Sequence, residues 1–189
     1  MRTRFLCVGL VALLVFAVPG SSAGAGGKFE IVPGESIGVV AIDDTRRSVE
    51  RQLGKPVDHT NDEQFYSSVY RYPKRDRIGN RGGKLIIVFD GLSRRGRAGY
   101  MLTLEPSLGT KQGLGVSDTY SELLGAYPGV SCYHVESDGS RNPNIESNEN
   151  FECELVRNGG FTYFGFASLD ADPEQRIGGL AVSAIQIDP

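Results

Sequence analysis

The sequence predicts an α+β protein built from two tandem repeats, each a short helix-containing segment packed on a three- to four-stranded antiparallel sheet. Three observations point there. A capped amphipathic helix pattern occurs twice, 74 residues apart. Runs rich in β-branched and aromatic residues follow each copy. Turn dipeptides separate those runs at hairpin spacing.

The first element is an export signal. Arg2 and Arg4 precede an apolar run from Phe5 to Val18, broken at Pro19-Gly20 and followed by Ser21-Ser22-Ala23 and Gly24-Ala25. Positive start, short apolar core and small-residue site predict a secretory signal peptide over residues 1–25, cleaved after Ala23 or Ala25. The apolar run falls short of the roughly 20 residues that span a bilayer. An uncleaved N-terminal anchor is the alternative. Cys7 sits at the start of the apolar run, where no lipid signal would place it, and leaves with the signal. The remaining chain carries 18 basic and 23 acidic residues, a net charge of −5. It is long enough for one compact core.

The first helix pattern is Asp43-Asp44-Thr45-Arg-Arg-Ser-Val49-Glu-Arg-Gln-Leu53-Gly54-Lys-Pro56; the second is Asp118-Thr119-Tyr-Ser-Glu122-Leu123-Leu-Gly-Ala-Tyr127-Pro128-Gly129. Asp44 and Asp118, or the threonines after them, can cap the free N–H groups of a first helical turn. Thr119-x-x-Glu122 matches a capping box. Tyr120, Leu123, Leu124 and Tyr127 follow helical spacing. Gly54 with Pro56, and Pro128-Gly129, are stop signals. With the Asp-Thr pairs aligned, Val49 meets Leu123, Leu53 meets Tyr127 and Ile42 meets Val116.

Strands are predicted at 66–72, 84–89 and 98–104 after the first helix. After the second they are predicted at 130–135, 151–156, 160–167 and 180–187. Asn80-Arg81-Gly82-Gly83, Asp90-Gly91 and Asn158-Gly159 supply turns. The continuous apolar run Leu85–Phe89 suggests a central strand. Tyr66, Ser68, Tyr70 and Tyr72 share one strand face, which is therefore aromatic with polar tips. Residues 26–104 form the first α+β repeat and residues 105–189 the second.

Cys132 and Cys153 remain after cleavage, and an even pair in an exported chain predicts a disulfide within the second repeat. It closes a loop of roughly 20 residues, worth about 3 kcal/mol by chain entropy. A metal site is the poorer alternative, because no Cys-x-x-Cys exists and only His59 and His134 could add imidazoles.

The pattern Gly-(Val/Ile)-x-x-x-Asp-Thr-x-x-x-(Val/Leu)-x-x-x-(Leu/Tyr)-(Gly/Pro), followed by a strand meander, resembles the β-lactamase-inhibitory-protein-like fold. That fold is similar to the small lipoprotein of the bacterial outer-membrane assembly machine. Val49-x-x-x-Leu53-Gly54-Lys-Pro56 is the part closest to the lipoprotein pattern. The resemblance spans residues 31–187 as a loose pattern. It implies two modules in tandem whose sheets form a concave surface that grips a partner protein. No inhibitor contact residue carries over, and there is no Trp to anchor an interface.

Chemistry is sparse. A nucleophile needs a neighbouring base, and two histidines are the whole imidazole supply. Asp43-Asp44 sits where a helix cap is needed. Asp170 and Asp172 precede Pro173 in a turn. The loop from Glu136 to Glu152 holds five carboxylates, but Arg141 interrupts it and no calcium-loop spacing is present. Phosphate-cradling glycine motifs are absent. No catalytic residue, metal or cofactor is therefore expected.

Charge is polarised along the chain. Residues 26–104 carry 14 basic and 10 acidic residues, a net of +4; residues 105–189 carry 4 and 13, a net of −9. Lys74, Arg75, Arg77, Arg81 and Lys84 lie in or beside one hairpin loop and Arg94, Arg95 and Arg97 in the next. If the loops lie together they form a basic patch that steers an acidic surface or an anionic wall polymer. The expected partner-contacting residues are Tyr66, Tyr70, Tyr72, Arg75, Arg77, Arg81, Arg94, Arg95 and Arg97. The function expected is an exported, non-enzymatic protein-binding module, an inhibitor of a secreted or cell-surface protein. The alternatives are a cell-envelope assembly factor and a hydrolase whose histidines and carboxylates converge in a cleft. Neither nucleic acid nor, after signal cleavage, membrane is an expected partner.

Overall fold

The computed structural model describes residues 29–62, 64–74, 82–135, 141–142, 150–166 and 175–184. The signal-peptide reading falls outside them. The strands are β1 (Glu30–Val32), β2 (Ser36–Ile37), β3 (Val40–Ala41), β4 (Asp58–Asn61), β5 (Phe65–Arg71), β6 (Lys84–Asp90), β7 (Ala98–Thr103), β8 (Gly109–Thr110), β9 (Ser131–Val135), β10 (Arg141–Asn142), β11 (Asn150–Arg157), β12 (Gly160–Phe166) and β13 (Ile177–Ser183). The helices are α1 (Arg46–Leu53) and α2 (Tyr120–Ala126). The architecture is α+β.

Nine strands form one antiparallel sheet in the order β10-β9-β11-β12-β13-β7-β6-β5-β4. The two halves are ordered alike. Outward from the central β13–β7 pair, one side runs β12, β11, β9 and the other runs β6, β5, β4. At the centre Leu180, Ala181, Val182 and Ser183 face Thr103, Leu102, Met101 and Tyr100. A smaller sheet, β3-β2-β1-β8, includes a parallel β1–β8 pair that ties the first segment to the chain after β7.

Both helices start with the same bonds. Thr45 Oγ1 accepts from Ser48 N–H and Thr119 Oγ1 from Glu122 N–H. The preceding aspartates brace the turn before the cap. Asp44 accepts from Ala41 N–H at 3.0 Å and Asp118 from Gly115 N–H at 2.6 Å. The threonines, then, are the caps. Each helix start is also stitched to a strand. Asp43 N–H and Ala98 N–H bond to Ala98 O and Asp44 O; Ser117 N–H and Ile177 N–H bond to Ile177 O and Asp118 O. Asp43 and Ser117 both have positive φ, 67° and 83°, a backbone conformation that L side chains rarely adopt. In each case an arginine donates to the strained residue's carbonyl, Arg97 at 3.1 Å and Arg176 at 2.6 Å.

The core lies on one face of the large sheet. Alternation along the strands sends Leu85, Ile87, Phe89, Met101, Phe151, Leu155, Phe164, Leu180 and Val182 to that face, all buried. Val49 and Leu53 of α1 and Leu123 of α2 pack against them. Each such fully buried side chain contributes about 1.5–3 kcal/mol. Tyr120 wedges edge-on against Phe151 and Phe166. The small sheet covers the same face through Ile31, Ile37 and Val40. Gly34 N–H donates to the buried Thr162 Oγ1 at 2.8 Å. A Cβ at Gly34, where φ is +76°, would collide with the carbonyl of Arg157.

Candidate functional site

The helices and the small sheet occupy one side of the large sheet, and no described helix covers the other. Its side chains follow from strand parity. Phe65, Ser67, Val69 and Arg71 come from β5, Lys84, Ile86 and Val88 from β6, and Tyr100 and Leu102 from β7. Ala181 and Ser183 of β13, Phe161 and Tyr163 of β12 and Glu152, Glu154 and Val156 of β11 share that face across the central pair, but Ala181, Ser183, Tyr163 and Glu154 are buried there. Phe65, Leu104 and Val156 are its most exposed large apolar side chains, at 48%, 48% and 59%. Gly179 lies on the same face, where an added Cβ would meet the Leu104 and Leu102 methyls at 3.1 and 3.4 Å. Gly165 pairs with Gly179 across β12 and β13. The two glycines leave a shallow floor beside those leucines.

Tyr100 and Glu152 are neighbours here. Burial, then the nearby Glu152 and Tyr163, push the Tyr100 phenol up to about 12. Tyr133 donates to Glu152 at 3.4 Å. The open face is therefore apolar at its middle, phenolic beside the centre and carboxylate-bearing on β11.

Tyr66, Tyr70 and Tyr72 do share one face, but it is the covered one. They are 4%, 1% and 4% exposed. The expectation that they meet a partner is corrected: they are core residues. Tyrosine permits this because its ring packs while its hydroxyl finds a local contact. Tyr72 Oη accepts from Val39 N–H at 3.1 Å. The Arg46 guanidinium lies 3.4 Å above the Tyr66 ring, and the Tyr70 phenol sits near Ser68, Glu50 and Arg46. Burial raises the Tyr70 and Tyr72 phenols above their ordinary range.

The described ends of the two basic loops lie apart. One ends where β6 begins and the other begins where β6 ends, so they leave the sheet at opposite ends of a seven-residue strand. That separation is about 20 Å. Arg75, Arg77 and Arg81 lie outside the described residues. Arg94, Arg95 and Arg97 are exposed and dock on α1 instead: Arg46 N–H donates to Gly96 O and Arg47 N–H to Arg94 O. Arg94 pairs with Glu50 at 3.5 Å. The sequence reading passed over Arg46 and Arg47, which join this hairpin. Their signal was present, since two arginines in a first helical turn oppose the helix dipole.

Cys132 and Cys153 form the expected disulfide, S–S 2.07 Å, between directly opposed residues of β9 and β11. His134 is buried on β9 against Phe151, while His59 is exposed on edge strand β4 and stacks on Tyr66. Seven strand spacings separate β9 from β4, about 33 Å, so the histidines share no cleft. Most of the acidic loop lies outside the described residues; Glu152 is on β11. No described helix is long and apolar enough to cross a membrane.

No family model matches the chain, and no curated protein matches it. Among solved structures it is similar to a cysteine-rich secretory protein from Staphylococcus aureus subsp. aureus Mu50, with a TM-score of 0.48 and 7% identity. That match covers 80% of this chain and 47% of the other, so the chain spans about half of its neighbour's length.

Proposed function

We propose that this chain is an exported protein-binding module of the inhibitor type, which holds a partner protein on the open face of its large sheet. One observation carries the reading. Both halves contribute strands to one face of the sheet, whose back is covered by the helices and whose exposed or half-exposed front carries Phe65, Ile86, Val88, Tyr100, Leu102 and Leu104 from the first half and Phe161 and Val156 from the second, on either side of the buried Tyr163, Ala181 and Ser183. A mixed aromatic and aliphatic patch rimmed by charge is what a protein interface needs, and soluble monomers rarely expose a large one. The signal-peptide pattern and the disulfide support export.

The two halves are read as tandem copies of one module. The matched caps, the matched strand stitches, the paired positive-φ residues and the symmetric strand order support that reading. The sequence resemblance to inhibitory tandem modules agrees with it.

The test is capture of partners from the native culture medium by the immobilised protein. Leu102→Arg/Leu104→Arg and Ile86→Arg/Val88→Arg should abolish capture while leaving the unfolding transition in place. Lys55→Gln and Lys111→Gln, away from the open face, should not. Capture that survives both arginine pairs would sink the reading. The second reading, a cell-envelope factor, is favoured by the arginine cluster on the opposite side of the molecule. Fractionation separates the two: an envelope factor stays with washed cells.

A further inference from the structure

We infer that the first turn of α1 and the β6–β7 hairpin form a docking site for a polymer bearing repeated phosphate or sulfate groups. The site is on the helix side of the sheet, away from the open face, and uses different residues.

Six arginines lie on these two segments: Arg46, Arg47 and Arg51 on α1, and Arg94, Arg95 and Arg97 on the hairpin, of which Arg46 is held inward by Glu50, the Leu92 carbonyl and the Tyr66 ring. Backbone bonds hold the two segments together, Arg46 N–H to Gly96 O at 2.9 Å and Arg47 N–H to Arg94 O at 3.1 Å. Arg47 and Arg51 are four residues apart and so share one helix face. Both are exposed, as are Arg94, Arg95 and Arg97. Three nearby carboxylates are engaged, while a fourth, Asp43, is exposed beside Arg97. Glu50 contacts Arg46 at 3.0 Å and Arg94 at 3.5 Å, Asp44 accepts from Ala41 N–H, and Asp90 accepts from Arg97 N–H.

Folding uses Arg46, which stacks on Tyr66 and pairs with Glu50, and Arg97, which supports Asp43 as Arg176 supports Ser117, but it does not ask for Arg47, Arg51 or Arg95. The same backbone stitches occur at the start of α2, where the first turn is Tyr120, Ser121 and Glu122. Two arginines at a helix N-terminus work against the macrodipole, and α1 has no acidic residue in its first turn. Arginine rather than lysine at every position points to oxyanions, because its planar fork binds phosphate, sulfate or carboxylate through paired hydrogen bonds. Several forks spread over a helix and a hairpin suit a repeating polymer better than one small anion. A chain tethered this way keeps its open face free for a protein.

The experiment uses the purified disulfide-bonded protein with fluorescently labelled polyphosphate and, separately, labelled dextran sulfate, titrated at about 50 and about 200 mM salt. Binding should weaken as salt rises. Arg47→Gln/Arg94→Gln/Arg95→Gln should lower affinity at least tenfold and flatten the salt dependence. Lys55→Gln/Lys84→Gln/Lys111→Gln removes the same charge elsewhere and should lose far less. No binding to either polymer at the lower salt, or equal losses in the two triple variants, overturns the inference. Binding to one polymer alone identifies the ester preferred. Unchanged unfolding midpoints keep the comparison clean. Leu102→Gln/Leu104→Gln, which adds no charge to the open face, should leave polymer binding intact, so failure of the protein-binding reading stays distinguishable from failure of this one.

Discussion

The starts of α1 and α2 share a backbone and differ in almost everything attached to it. Each has a threonine cap, an aspartate bracing the preceding turn, a positive-φ residue and two backbone bonds to a strand. At α2 the side chains agree with that frame. Glu122 closes a capping box, Tyr120 wedges between two phenylalanines, and the first turn bears negative charge as the dipole prefers. At α1 the first turn is Arg46-Arg47, and the cap has no reciprocal carboxylate. The frame is what the fold requires. The side chains on it are free to serve something else, and at α1 they gather arginines.

The largest effect that would sharpen this contrast is in the core beneath the helices. Leu123→Ala should cost about 2–5 kcal/mol, because Leu123 is fully buried at the α2 anchor. Val49→Ala, its counterpart under α1, should cost less, about 2 kcal/mol for two fewer buried carbons. Urea unfolding measures both, and equal losses would mean that the helices are anchored alike. Next comes the disulfide, present only in the second half. Cys132→Ser/Cys153→Ser should lower stability by about 3 kcal/mol. An unchanged transition would mean that the β9–β11 pairing holds without it.

The caps come third. Thr119→Ala should cost about 1–2 kcal/mol and Thr45→Ala about half that, since only Thr119 has the reciprocal Glu122 contacts. The Glu122 carboxyl is held below its usual range by the Thr119 N–H and hydroxyl. A depressed folded-state value stabilises above the unfolded value, about 4.3, and that contribution is lost as pH falls through the lower folded one. Glu122→Gln should therefore flatten the acid limb of the stability profile, with no matching effect available at α1. The smallest effect has the opposite sign. Arg47→Glu should stabilise the protein by about 0.3–1 kcal/mol by satisfying the α1 dipole. A loss instead would mean that Arg47 serves the fold.

Periodicity placed β5, β6, β7, β9, β11 and β12 within a residue or so, because half-buried strands alternate and turns carry Gly, Asn or Asp. It started β13 three residues late: Ile177-Gly178-Gly179 looks like a turn, and a neighbour on each side makes it a strand. The sequence Asp58-His-Thr-Asn carries no strand signal at all. It becomes β4 only because β5 offers it an edge. The short strands β1–β3 and β8 were likewise missed, since two or three residues give no period to read. At the site, parity put Tyr66, Tyr70 and Tyr72 on one face correctly, but parity cannot say which face the helix will cover.

What the sequence determined by itself was local. Caps, stops, strand parity and the cysteine pair depend on neighbours a few residues apart or on covalent chemistry. What only the tertiary structure decided was which side of each strand faces the core and which loops meet. Two basic segments adjacent in sequence join β6 at its opposite ends. Two arginines at the start of a helix join one of those segments from about 50 residues away. Such choices follow from packing a whole sheet against two helices, and burial is a property of that assembly rather than of any segment.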